Sequence, residues 1–237
     1  MWSRLKEFIA KVNRTLTPEN KPVPAISEEK LEKPTMRTCI HEAGHYMIAR
    51  MFPEKIRINE LNANKSDLVG DMNGALNITD VGFATLNSYD HIMLTAAGGL
   101  VANTISLRGK DYVTQNLSRF PFNLEGLDLF GTGGDYELIQ EFASKIAVFW
   151  KYTQNGYVKV QWNAIQFVFC YLLEEVVWDT LLILSQGLYD SEHYKLSAQE
   201  AEVIVCSSPY FAELEKTEKE YFSDRYPLGR LKSIKLI

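Results

Sequence analysis

Between Thr35 and Phe52, apolar residues recur at Met36, Ile40, Ala43, Met47 and Met51, the three- and four-residue spacing of one helical face. Pro53 lacks the amide a further turn would need, so the pattern predicts a helix that stops there. From Ile56 to Leu86 the period shortens to β-like pieces separated by Asn, Asp and Gly, and Val81–Leu86 is the clearest strand candidate. Helical spacing returns over about 89–106, a segment containing the small-residue run 96–99, and residues 107–131 read as a loop-rich excursion. Further helices are expected over about 134–152, 160–188 and 197–206. The last of these opens on Ser197 and Glu200, the spacing of a capping box. A charged helix from about Pro209 leads into a basic tail.

Upstream, Trp2, Leu5, Phe8, Ile9, Val12 and Leu16 alternate with Arg4, Lys6, Lys11 and Arg14, the signature of a short amphipathic helix over 1–16. Pro18, Pro22, Pro24 and Pro34 make residues 17–34 an extended linker. The expectation is therefore an arm over 1–34 and one mainly helical α+β domain over 35–237. Its small sheet comes early, and a helical bundle follows.

Composition narrows the possible partners. The 237 residues are 46% hydrophobic and 23% charged, enough apolar material for one substantial core. A net charge of -5, with no dense Lys/Arg run, argues against a nucleic-acid partner and leaves a protein or peptide substrate open. Three cysteines, Cys39, Cys170 and Cys206, stand far apart and form neither a disulfide framework nor a cysteine zinc site, which fits a reducing cytoplasm. The apolar run from Trp162 to Leu184 is interrupted by Glu174, Glu175 and Asp179, each costly in lipid, so it reads as a buried core helix. The basic amphipathic pattern of residues 1–16 is the expected place for contact with a partner protein or a membrane surface.

The sharpest chemical signal is His41-Glu-Ala-Gly-His45, which fits H-E-x-x-H. Residues four apart on a helix share a face, so two imidazoles can meet one ion. Glu42 then flanks that ion as a general base, able to take a proton from an attacking water and return it to the leaving amine. With four histidines in the chain, a chance match to this pattern is expected in about half a percent of such sequences. Gly44 costs about 1 kcal/mol relative to Ala inside a helix, which points to close packing against its backbone.

A catalytic zinc needs a third protein ligand and one open position. The continuation H-x-x-G-x-x-H is excluded by Ile48 and Met51. Glu174, Glu175 and Asp135 remain candidates. Asp135 follows the glycine-bearing turn 131–134, although an acid there is also favoured simply by the helix dipole.

Taken together, His41-Glu-Ala-Gly-His45, then Val81-Gly-Phe-Ala-Thr85, Ala97-Gly-Gly-Leu-Val-Ala102 and Gly133-Gly-Asp135, in that order, resemble the peptidase domain of FtsH-type AAA proteases over roughly residues 35–205. The resemblance implies a zincin-like active-site helix, zinc held by His41, His45 and Asp135, and peptide hydrolysis with Glu42 as base. It also implies an edge strand over 82–86 where an extended peptide adds by β-augmentation. The chain departs from the family in having no G-x-x-x-x-G-K-[ST] motif, hence no ATPase module, and in carrying Asn103 where the family has an acid. The expectation is a metallopeptidase acting on flexible or unfolded polypeptides, as a monomer or a homo-oligomer. The competing expectation is a zinc-bound binding module that docks to a partner ATPase or a membrane surface.

Overall fold

The computed structural model describes residues 33–64, 75–80, 86–116, 133–149 and 156–221, all within the compact unit Leu31–Ile237. The amphipathic segment 1–16, most of the linker 17–34, residues 81–85 of the strand candidate Val81–Leu86 and the tail after 221 lie outside the described residues, and Leu86 begins a helix rather than ending a strand.

The first described helix, α1 (Met36–Ala49), begins where Thr35 leaves helical geometry and its side-chain oxygen accepts from the Thr38 amide at 3.2 Å. Every residue from Cys39 to Ala49 except His41 is buried. The single apolar stripe thus understates its position, because a helix covered on nearly all sides lies inside the fold. It packs against α2 (Leu86–Arg108) on one side and α6 (Glu175–Asp190) on another. α1 and α2 run antiparallel, since Arg37 bonds Asn103, Gly44 abuts Gly98 and Phe52 stacks near His91.

The remaining elements are β1 (Ile56–Asn62), β2 (Ala75–Asp80), α3 (Lys110–Asn116), α4 (Gly133–Phe149), α5 (Gly156–Leu172), β3 (Lys195–Ser197), α7 (Ala198–Cys206) and α8 (Phe211–Glu220). The architecture is mainly helical with one small antiparallel sheet, as the pattern predicted. The sheet order is β2-β1-β3, with Leu61 opposite both Leu76 and Leu196. Its third strand therefore comes from late in the chain, whereas the whole sheet was expected early.

Two further expectations need correcting. The excursion at 107–131 is helical in its described part: α2 runs to Arg108, Gly109 turns at φ 83°, and α3 follows with Val113 buried as its anchor. The single helix expected over 160–188 is two. Glu174 adopts φ -57° and ψ 133°, which ends α5 and starts α6. The Tyr221 hydroxyl lies 2.8 Å from the Cys170 carbonyl and 2.7 Å from Glu174 Oε1, so a residue from the far end of the domain occupies the break. The apolar run is buried core, and among the described residues no helix is long and apolar enough to cross a membrane. The capping box at the head of α7 is present in both directions, Glu200 N to Ser197 Oγ at 3.3 Å and Ser197 N to Glu200 Oε2 at 2.8 Å.

Candidate metal centre

His41 and His45 sit one helical turn apart on α1, and their Nε2 atoms lie 3.1 Å from each other. α4 brings Asp135 to them from its first turn, with Oδ2 at 3.1 Å from His41 Nε2 and 3.4 Å from His45 Nε2. Among the described residues this is the one group of three or more His, Cys, Asp or Glu side chains close enough to share an ion.

The approach depends on glycine. A Cβ on Gly44 would fall 2.5 Å from the Gly98 carbonyl oxygen, and one on Gly98 would fall 2.4 Å from that of Gly44. The two helices therefore touch backbone to backbone, which explains why the motif tolerates a poor helix former at Gly44. This contact sets α2 beside the imidazoles, so that the Thr95 carbonyl oxygen lies 2.7 Å from His45 Nδ1.

That bond bears on the chemistry of the ring. The Gly99 amide also approaches His45 Nδ1, at 3.3 Å, but the shorter contact is with an oxygen that can only accept, which favours the hydrogen on Nδ1 and the lone pair of Nε2 toward the cluster. Asp135 is acceptor-only when ionised. With its lone pair turned inward, His45 Nε2 repels the Asp135 carboxylate unless a proton or a metal ion lies between them, and His41 Nε2 stands 3.1 Å from each. A proton is the least demanding such cation. Burial alone would push the His45 pKa down, but the Asp135 carboxylate overrides it and raises the pKa to about 9. Burial likewise opposes the charge on Asp135, and the two imidazoles hold it ionised well below the usual carboxylate range. The donor set, two imidazole nitrogens and one carboxylate, equally fits a divalent metal ion with a further position left open.

Glu42 lies beside this group with its Oε1 3.9 Å from His41 Nε2. It is almost fully buried, and its Oε2 has no hydrogen-bond partner. Burial raises its pKa. A buried carboxyl with a free oxygen beside a cation site is placed to exchange a proton with whatever enters.

The structure brings together four of the six sequence candidates, His41, Glu42, His45 and Asp135. Glu174 and Glu175 stand apart at the α5–α6 break, where Glu174 faces Tyr221, so the third member of the group, and its one acid, is Asp135. Asn103 accepts from Arg37 across the α1–α2 contact. The contacts that Thr95 and Gly99 make with the His45 ring, at 2.7 Å and 3.3 Å from Nδ1, were missed. The visible signal was a pair of adjacent glycines inside a helical pattern, each costing about 1 kcal/mol there. No family model matches the chain, and no curated protein matches it, so the reading of the site rests on its own geometry.

Proposed function

We propose that the chain is a zinc-dependent endopeptidase of the FtsH-type peptidase class, acting on flexible or unfolded polypeptides. The observation that carries this reading is the convergence of His41 Nε2, His45 Nε2 and Asp135 Oδ2 beside an unpartnered, buried Glu42 Oε2. Zinc, held by those three side chains, would supply an acidified water and polarise the scissile carbonyl. Glu42 does the proton work. Its carboxylate takes the proton released as water adds to the carbonyl carbon, and the same oxygen delivers it to the amine nitrogen as the C–N bond breaks. The products are a carboxylate and an amine, and Glu42 returns to its starting state. A pKa raised by burial suits both halves of that exchange, since the group must accept and then release. Thr95 holds the His45 ring in its ligating tautomer, and α2 closes the site from behind. The free thiols of Cys39, Cys170 and Cys206 accord with a cytoplasmic setting.

The test is cleavage of an unstructured fluorogenic peptide by zinc-loaded protein. Wild type is expected to cleave, and Glu42→Gln to keep its zinc while losing roughly 10²- to 10⁴-fold in rate, the range attributed to a general base. Zinc-loaded wild type that leaves every unstructured peptide intact would replace this reading with that of a binding module.

A further inference from the structure

The glycines at the α1–α2 contact differ in what they touch. A Cβ on Gly44 or Gly98 would strike the backbone of the opposite helix, whereas one on Gly109 would meet nothing within 4 Å. A Cβ on Gly99 would strike the site itself, at 2.4 Å from both Cε1 and Nε2 of His45 and 2.8 Å from Cε1 of His41. Contacts under 3.0 Å cannot persist, so the rings would have to move. His45 has little freedom to do so while its Nδ1 stays bonded to the Thr95 carbonyl at 2.7 Å. The Gly99 amide nitrogen lies only 3.3 Å from the same Nδ1, so this ring rests directly against the bare backbone at that position.

We propose that Gly99 is a positioning residue of the metal centre: its missing side chain gives both imidazoles the space in which their Nε2 atoms converge on Asp135. This rests on the reading of the three-residue group as a metal site. Gly98 spaces the helices, and Gly99 places the ligands. The same two-residue sequence therefore carries two separable functions, one in stability and one in metal affinity. Alanine is the better helix former by about 1 kcal/mol, so a methyl group at position 99 favours the helix itself while displacing the rings.

The experiment compares wild type and Gly99→Ala in zinc affinity, by chelator competition, and in metal-free thermal midpoint. Gly99→Ala is expected to bind zinc at least about ten-fold more weakly, the usual cost of disturbing the support of a ligand, with a metal-free midpoint close to wild type. Its cobalt(II) absorption, read on the fraction that loads, is expected to differ in band shape from that of wild type. Zinc affinity within about two-fold of wild type overturns the proposal. If the variant is too unstable to titrate, metal-free midpoints of wild type, Gly99→Ala, His45→Ala and the double variant decide. A loss relieved by removing His45 upholds the proposal, and a loss of equal size in both backgrounds overturns it. Wild type that takes up no zinc defeats the metal reading, while the same four midpoints still judge the placement of the rings.

Discussion

Two polar clusters along α1 are completed in opposite ways. At its C-terminal end the Arg50 guanidinium pairs with Glu202 and with Glu218, Tyr46 donates to Glu202 at 2.8 Å, and Tyr171 donates to Glu218 at 3.1 Å. Positive and negative charge meet there with their hydrogen bonds made, and the cluster ties α1 to α7 and α8. One to two turns earlier, His41, His45 and Asp135 converge on a point that a proton or a metal ion can occupy, and Glu42 Oε2 beside them has no hydrogen-bond partner. The first cluster is completed by its own side chains, whereas the second has room for a proton or a metal ion. The difference separates a structural ion network from a site, although both perturb ionisation.

Breaking the closed end has the largest expected effect on stability. Arg50→Ala leaves the carboxylates of Glu202 and Glu218 without their cation, and because water reaches Glu202 the loss falls mainly on Glu218 and amounts to about 2 kcal/mol. Urea unfolding should register that loss, while zinc uptake by the folded fraction stays at the wild-type level. Equal loss of zinc would mean that the two ends are one unit.

Asp90 sharpens the comparison from the other side, because it too is buried with an unpartnered oxygen yet belongs to no cluster. Burial alone raises its pKa from 3.8 to about 8. The unfolded chain therefore releases this proton near pH 4 while the folded chain keeps it, so stability is full below pH 4 and declines as pH rises toward 8. Asp90→Asn removes that slope. The variant is expected to match wild type near pH 4 and to gain on it as pH rises toward 8, by at most about 1.4 kcal/mol per pH unit, the linkage slope of one proton. Thermal or urea unfolding across that pH range checks it, and a wild-type slope that survives the substitution would assign the effect elsewhere.

The smallest effect is expected at the N-terminal cap of α7, the helix that carries Glu202. Ser197→Ala breaks the capping box of α7 and should cost about 1 kcal/mol, read as a shift in urea midpoint with zinc affinity unchanged. A change in zinc affinity would show that the α7 cap and the metal centre are coupled.

These contrasts were only partly visible in the chain. The helix over 35–52, its two histidines on one face, the close contact at Gly44 and the Ser197 box were legible because each depends on residues within a few positions of one another. The α5–α6 break was not, since the run from Trp162 to Leu184 has no Gly or Pro to mark it, and the residue seated at the break, Tyr221, lies 47 positions beyond Glu174. β3 was missed for a similar reason: three residues carry no readable period, and their pairing to β1 is long-range. In the site, spacing alone left Asp135 level with Glu174 and Glu175, the resemblance to FtsH-type peptidases favoured Asp135, and the placement of α4 against α1 brings that residue to the histidines. Gly99 shows the limit most clearly, because its importance lies in two imidazoles more than fifty residues away in the chain.

The central claim is that His41, His45 and Asp135 hold a metal ion together. Zinc per chain, measured on purified wild type and on Asp135→Ala after supply of the metal and removal of loosely bound ion, tests it most directly. The account predicts about one zinc per wild-type chain, and loss of most of it when one of three ligands is removed. A wild-type chain that takes up no zinc, or an Asp135→Ala chain that keeps it, would contradict the account.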